Sequence, residues 1–288
     1  LSALLIVLCV FAVEMKNTEK KAYQGMSEIG EDQNTEVENK DNSQYIDMDL
    51  AKDIEAYFQE NGIDHEKVAY CITDLEHNIK YSMNEKDEFI AASIYKLPLA
   101  MLYYDKVNDG EYTLDSTFTY SGYMHEDAGV VSSNYGIGSQ IPLSDLLDDL
   151  IEYSDNDAGH ILYENLGGWK EYKEAMTKYT DSISENYYTE DNVSTANTMN
   201  DVVTYLYEHK EDYKDLIENM EKAEPGEYLD RDTQLSMPQK YGMYDSALNS
   251  VGFVECNTPY SIVVLTDLGD KGADVMANIN RIAYEHFK

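Results

Sequence analysis

The chain has 288 residues, 43% of them hydrophobic, enough for one large or two small domains with a sizeable core. Asp and Glu number 56 against 21 Lys and Arg, a formal net charge of -35. That balance excludes a nucleic-acid partner and docking on anionic lipid through the folded part, since both need a basic patch.

In chain order, residues 1–13 read LSALLIVLCVFAV, an apolar run too short to span a bilayer as it stands. It reads as the remnant of a signal or membrane-anchor segment and points to export, secreted or N-terminally anchored, with membrane contact through this segment alone. Cys9 follows Leu8 rather than a small residue, which argues against lipidation. Residues 14–46 are rich in Glu, Asn and Lys and poor in large apolar side chains, the composition of a disordered linker. The folded domain is expected over residues 47–288.

Within it, Leu50, Ile54, Tyr57 and Phe58 share one face of a helix over 49–59. Strands follow over 68–74 and 79–82. The segment 93–107 reads as an apolar helix, its Pro98 tolerated in the first turn, where N–H groups lack partners anyway. Helices are predicted over 144–153, 157–166 (stopped by Gly167–Gly168), 169–179, 196–207 (capped by Thr195) and 212–221. The period then changes: strands over 239–244, 251–256 and 260–266 precede a closing helix over 272–287. Trp169 is expected in the core, and Cys71 and Cys256 as buried free thiols. The fold class is α+β: strands from both chain ends form one antiparallel sheet flanked by helices, and the helical middle forms an all-helical subdomain. A ligand cleft is expected between them.

Three cysteines and six histidines show no metal-ligand spacing, so no metal and no cofactor is expected. Three short elements carry chemistry instead. Ser93 and Lys96 stand three apart, on one face of a helix start, so a lysine of lowered pKa could take the serine proton. Ser154-Asp155-Asn156 lies between two helices: one residue can serve as an N-cap, or Ser154 can relay a proton while Asn156 holds a substrate amide. Lys240-Tyr241-Gly242 enters the first C-terminal strand, as a solvated edge lysine or as a cation facing a substrate carboxylate, with glycine allowing close approach. Tyr120, Tyr123 and His125 are candidates for the cleft mouth.

Together these resemble the S-x-x-K, S-D-N and K-T-G elements of class A β-lactamases and penicillin-binding proteins, a resemblance that runs in family order over roughly residues 47–288. It implies a β-lactamase/transpeptidase-like fold and a serine acyl-transfer site. Ser93 would attack a β-lactam, cell-wall peptide or ester carbonyl, with Lys96 as general base and Ser154 as proton shuttle. Backbone N–H groups of Ser93 and Met243 would form the oxyanion hole. Asn156, Lys240, Tyr241 and Gly242 would bind substrate. The expected state is a monomer.

Two departures bear on turnover. Tyr241 stands where the family has a small hydroxyl residue, so carboxylate recognition is expected to be weaker or differently built. The segment 181–193 carries no E-x-x-L-N loop, leaving Glu185 and Glu190 as weak candidates for the deacylating base. Losing a positioned base costs ~100- to 10,000-fold in that step, so acylation with slow turnover is expected.

Overall fold

The computed structural model describes residues 48–126 and 128–288. The expected N-terminal segment (1–13) and linker (14–46) lie outside them. Helix α1 (Met48–Asn61) buries the stripe Leu50, Ile54 and Phe58 and stops at Gly62, whose φ is 61°. Strands β1 (Val68–Asp74) and β2 (Ile79–Met83) form an antiparallel hairpin. A short strand, β3 (Phe89–Ile90), leads into a 3-10 turn (Ala92–Tyr95) and then helix α2 (Lys96–Asn108). Next come β4 (Thr117–Thr119), α3 (Val130–Asn134), β5 (Gln140–Pro142), α4 (Leu143–Glu152), α5 (Asn156–Asn165) and α6 (Trp169–Met176). After β6 (Val193–Ser194) come α7 (Ala196–Glu208) and α8 (Lys214–Lys222). The chain closes with β7 (Gln239–Tyr244), β8 (Ala247–Val254), β9 (Tyr260–Asp267) and α9 (Lys271–Phe287).

The sheet runs β2-β1-β9-β8-β7, every neighbouring pair antiparallel. The C-terminal β9 thus joins the N-terminal hairpin to β8 and β7. Successive residues of a strand face opposite sides. Val68, Tyr70 and Ile72 join a core with α1 and α9, through Val275, Met276 and Ile279. Ala69 and Cys71 join the other core, with Met199, Val202 and Leu206 of α7 and the helices of the central block. Because both faces are covered, β1 and β8 are buried along their whole length rather than at alternate positions.

Several expectations need correction. Helix α7 packs on β1, β8 and β9, so it belongs to the sheet and not to the helical subdomain. The segment expected as one helix from Ser93 starts as a 3-10 turn and becomes α-helical only at Lys96. Strand β8 starts at Ala247, not 251, because a tight turn with Asp245 at φ 53° closes the hairpin. The helix over 169–179 tightens into a 3-10 turn at Thr177. Cys256 is half-buried, not buried, at the start of a loop after β8. The pairs β3–β6 and β4–β5 escaped prediction, since two- or three-residue strands show no period.

Candidate active site

The turn that carries Ser93 is clamped from several sides. Asn249, fully buried on β8, donates from Nδ2 to the carbonyls of Ile90 (2.8 Å) and Ala91 (3.1 Å). Its Oδ1 accepts from Thr266 N, which fixes the amide's orientation. Asn192 donates from Nδ2 to Ala92 O (2.8 Å), and its own carbonyl accepts from Ala91 N. Tyr172 OH donates to Tyr95 O (2.7 Å). Ala92 itself is held at φ 50°, a left-handed conformation unfavourable for a side chain with Cβ. Strain of this kind persists where surroundings over-determine the backbone.

Gly242 completes the clamp. A Cβ there would lie 2.7 Å from Ser93 N and 2.8 Å from Ile94 N, so only glycine lets the edge strand β7 approach this turn. Ser93 is half-buried, and among the described residues its hydroxyl has no hydrogen-bond partner.

Three residues on, Lys96 is fully buried at the start of α2. Its Nζ donates to Ser154 O (2.5 Å) and Asn156 Oδ1 (2.6 Å), with Ser154 Oγ at 3.4 Å. Burial brings its pKa down to about 7, against the opposing charges of Asp155 and Glu126. Gly159 on α5 makes room for this arrangement: a Cβ would lie 2.7 Å from Tyr95 OH and 3.4 Å from Lys96 Cε.

The loop between α4 and α5 bends for a local reason. Asp155 is the N-cap of α5, accepting from Ala158 N (2.8 Å) and also from Val131 N (3.1 Å). Ser154, just before it, sits at φ 56°. Of the two capping candidates, then, the aspartate caps, and Ser154 turns both its carbonyl and its hydroxyl toward Lys96.

Lys240 is not a solvated edge lysine. It is fully buried on β7, its Nζ donating to Tyr241 O (2.9 Å) and lying 4.1 Å from the centre of the Tyr241 ring. Burial, then the charge of Lys96, push its pKa well below the usual lysine value, while Glu224 opposes them. The Tyr241 ring stacks on Tyr228 at 4.8 Å. Met243 is exposed.

Other candidates fall elsewhere. Glu185 and Glu190 are exposed on the loop after α6. That loop is tied down by Lys173, whose buried ammonium donates to the carbonyls of Tyr187, Thr189 and Asp191. Tyr120 does not line a mouth. It is buried, with its hydroxyl donating to Asp157 Oδ2 (3.1 Å) and 3.1 Å from His125 Nδ1. Tyr123 is exposed and stacks on His160.

Sequence reasoning missed Glu126, Asn192 and Asn249. Glu126 accepts from Asn156 Nδ2 (2.8 Å) and from Asn156 N (3.4 Å). None of the three lies in a motif, and no periodicity marks an asparagine that reaches across to another element's carbonyls.

A five-stranded antiparallel sheet, with a Ser-x-x-Lys turn against its edge strand and a Ser-Asp-Asn loop over the lysine, defines the β-lactamase/transpeptidase-like class of fold. The chain belongs to the beta-lactamase enzyme family, whose model matches residues 49–287. Solved structures agree on the fold. A beta-lactamase from Chitinophaga pinensis is 20% identical with a TM-score of 0.69, covering 83% of this chain and 99% of that one. A beta-lactamase from Sphaerobacter thermophilus is 21% identical with a TM-score of 0.70, over 84% and 98%. PBP-A is 16% identical with a TM-score of 0.70, over 83% and 95%.

Proposed function

We propose that this protein is an exported serine acyl-transfer enzyme whose Ser93 forms an acyl-enzyme with a β-lactam, or with a cell-wall peptide or ester, and releases it slowly. The observation that carries the reading is the lysine: a buried amine of pKa about 7, bonded to Ser154 and Asn156 and three residues from a serine hydroxyl that has no hydrogen-bond partner among the described residues.

As an ammonium, Lys96 has its three protons directed at Ser154 and Asn156. As a free amine it keeps two and gains a lone pair. Ser93 then gives its proton to that lone pair while Oγ bonds to the substrate carbonyl carbon. The negative charge passes to the carbonyl oxygen, for which the N–H groups of Ser93 and Met243 are the donors in this reading. When the tetrahedral centre collapses, the carbon–nitrogen bond breaks and the leaving nitrogen takes a proton. Ser154 Oγ supplies it and is reprotonated from Lys96, which returns to the free amine.

Tyr241 covers the Lys240 ammonium, so the lysine acts on a substrate carboxylate by its field rather than by direct contact. No hydrogen bond joins Glu185 or Glu190 to Ser93, Lys96, Ser154 or Asn156 among the described residues. This supports slow deacylation, and equally a second reading in which the domain captures β-lactams or cell-wall peptides without turnover. Export is proposed from the apolar run at residues 1–13.

Incubation with a penicillin and a chromogenic cephalosporin, followed by colour and intact mass, tests both, with Ser93→Ala as control. The expected result is a long-lived adduct of one acyl group, absent from the variant, with slow colour change. An adduct whose colour change stops at one equivalent per protein favours capture alone. No adduct on any β-lactam refutes both for that substrate class.

A further inference from the structure

Lys173 on α6 carries a buried charge that no carboxylate answers. Its ammonium donates to the carbonyls of Tyr187 (2.6 Å), Thr189 (2.8 Å) and Asp191 (2.6 Å). It lies 5.1 Å from the centres of both the Trp169 and the Tyr187 rings. The residue is 2% exposed, and among the described residues no Asp or Glu forms an ion pair with it. Burial lowers its pKa, while Asp191 and Glu190 oppose that shift only from a distance. A buried charge without a paired charge is costly to keep.

A small cavity adjoins this ammonium, walled in part by Tyr95, Trp169, Lys173, Tyr187, Asn192 and Ser194. It gives about 10 Å³ to the centre of a water-sized group, room for one. Three polar atoms of its wall residues, Trp169 Nε1, Tyr187 OH and Ser194 Oγ, are buried and have no hydrogen-bond partner among the described residues. Tyr187 and Ser194 are each 3% exposed. All three atoms can donate a hydrogen. No Asp or Glu lines the cavity, although the chain has 56 of them.

Three free donors and one positive charge, with no competing carboxylate, are the chemistry of an anion site. A water molecule would use the donors but leave the ammonium without a counter-charge. Sulfate, phosphate and organic acids exceed the room, which leaves an anion of one atom. Trp169 belongs to α6, Tyr187 to the loop after it and Ser194 to β6, so such an ion would tie three segments together. The same loop braces the turn before Ser93, where Ala91 N donates to Asn192 O (2.8 Å).

We propose that this cavity binds a small monovalent anion, chloride by size and charge, held by Trp169 Nε1, Tyr187 OH and Ser194 Oγ as the counter-ion of Lys173.

The test compares melting of the full chain in sodium chloride and in sodium gluconate of equal ionic strength. Both salts screen surface charge alike, but gluconate is too large for the cavity. Chloride is expected to raise Tm above gluconate, and each tenfold increase beyond the binding midpoint to add about 3–5 °C. Ser194→Ala removes one donor and should raise the chloride required about tenfold. Lys173→Met should abolish the difference between the salts. A wild-type crystal soaked in sodium bromide should show an anomalous bromine peak within hydrogen-bond reach of the three atoms. Equal melting in the two salts overturns the assignment, as does a chloride advantage that both variants leave intact. Should Lys173→Met fail to fold, the soaked wild-type crystal still decides: bromine in the cavity supports the site, and water in its place overturns it.

Discussion

Titration of Lys96 is the most direct handle on the proposed chemistry. An unperturbed lysine, with an ordinary pKa of 10.5, is a free amine in about one molecule in 3,000 at pH 7. Burial brings Lys96 to about 7, so roughly half the molecules carry the base at that pH. The gain is on the order of a thousandfold in active form. The rate of acylation should therefore rise with pH through about 7 and level off above it. At pH 5 only about 1% of the amine is free, and the rate should be about fifty times lower than at neutrality. The assay is the second-order rate of adduct formation with a penicillin, by quenched mass spectrometry between pH 5 and 9.

The same shift makes a stability prediction of determined sign. The folded value lies below the unfolded one, so between about 7 and 10.5 the unfolded chain binds more protons and stability rises with pH. Below 7 the full penalty stands, with a ceiling on the order of 5 kcal/mol, reduced by the Ser154 and Asn156 hydrogen bonds. Lys96→Met should abolish acylation and raise the melting temperature at pH 6 more than at pH 9. An acylation rate that is flat from pH 5 to 9, or still climbing at pH 9, would refute the reasoning, as would a Met variant less stable at pH 6.

Three further outcomes are expected. Gly242→Ala brings a methyl within 2.7 Å of Ser93 N and has backbone on its other near contacts, so the turn must shift; acylation should fall at least tenfold, with a stability loss of ~1–3 kcal/mol by denaturant titration. Asn249→Ala removes the Nδ2 donor from the carbonyls of Ile90 and Ala91 and the acceptor from Thr266 N, and should cost ~2–3 kcal/mol, with the adduct rate dropping alongside. Asp149 is raised to about 7, first by burial and then by Asp155 and neighbouring acids. Its folded value exceeds the unfolded one, so its contribution is present at low pH and lost as pH rises through about 7. Asp149→Asn should then stabilise the protein by ~1–2 kcal/mol at pH 8, with little gain at pH 4 in parallel melting curves.

Much of the fold was legible because local signals agreed with it. Burial on both faces favours mostly apolar strands, and 68–74 and 260–266 read that way. The helix stop at Gly167–Gly168 and the Thr195 cap act within a few residues, and a few residues are what a sequence pattern can report. Ser93, Lys96, Ser154, Asn156 and Lys240 stand out as candidates because their spacing within three short motifs matches a family. Spacing also put Ser93 and Lys96 within one turn of each other.

Burial and long-range contact were decided elsewhere. That Lys240 is enclosed rather than solvated depends on Tyr241 and Tyr228 closing over it, residues separated by a loop and a change of element. Which of Ser154 and Asp155 caps α5 depends on Val131, which offers Asp155 a second donor. The clamps from Asn192 and Asn249, and the carboxylate of Glu126 on Asn156, join residues from 30 to about 160 positions apart. A chain determines its helices and strands through neighbours three or four residues away, so these were open to reading from the sequence. The state of a site lysine depends on how much water and which charges surround it, and only the packed chain brings those surroundings together.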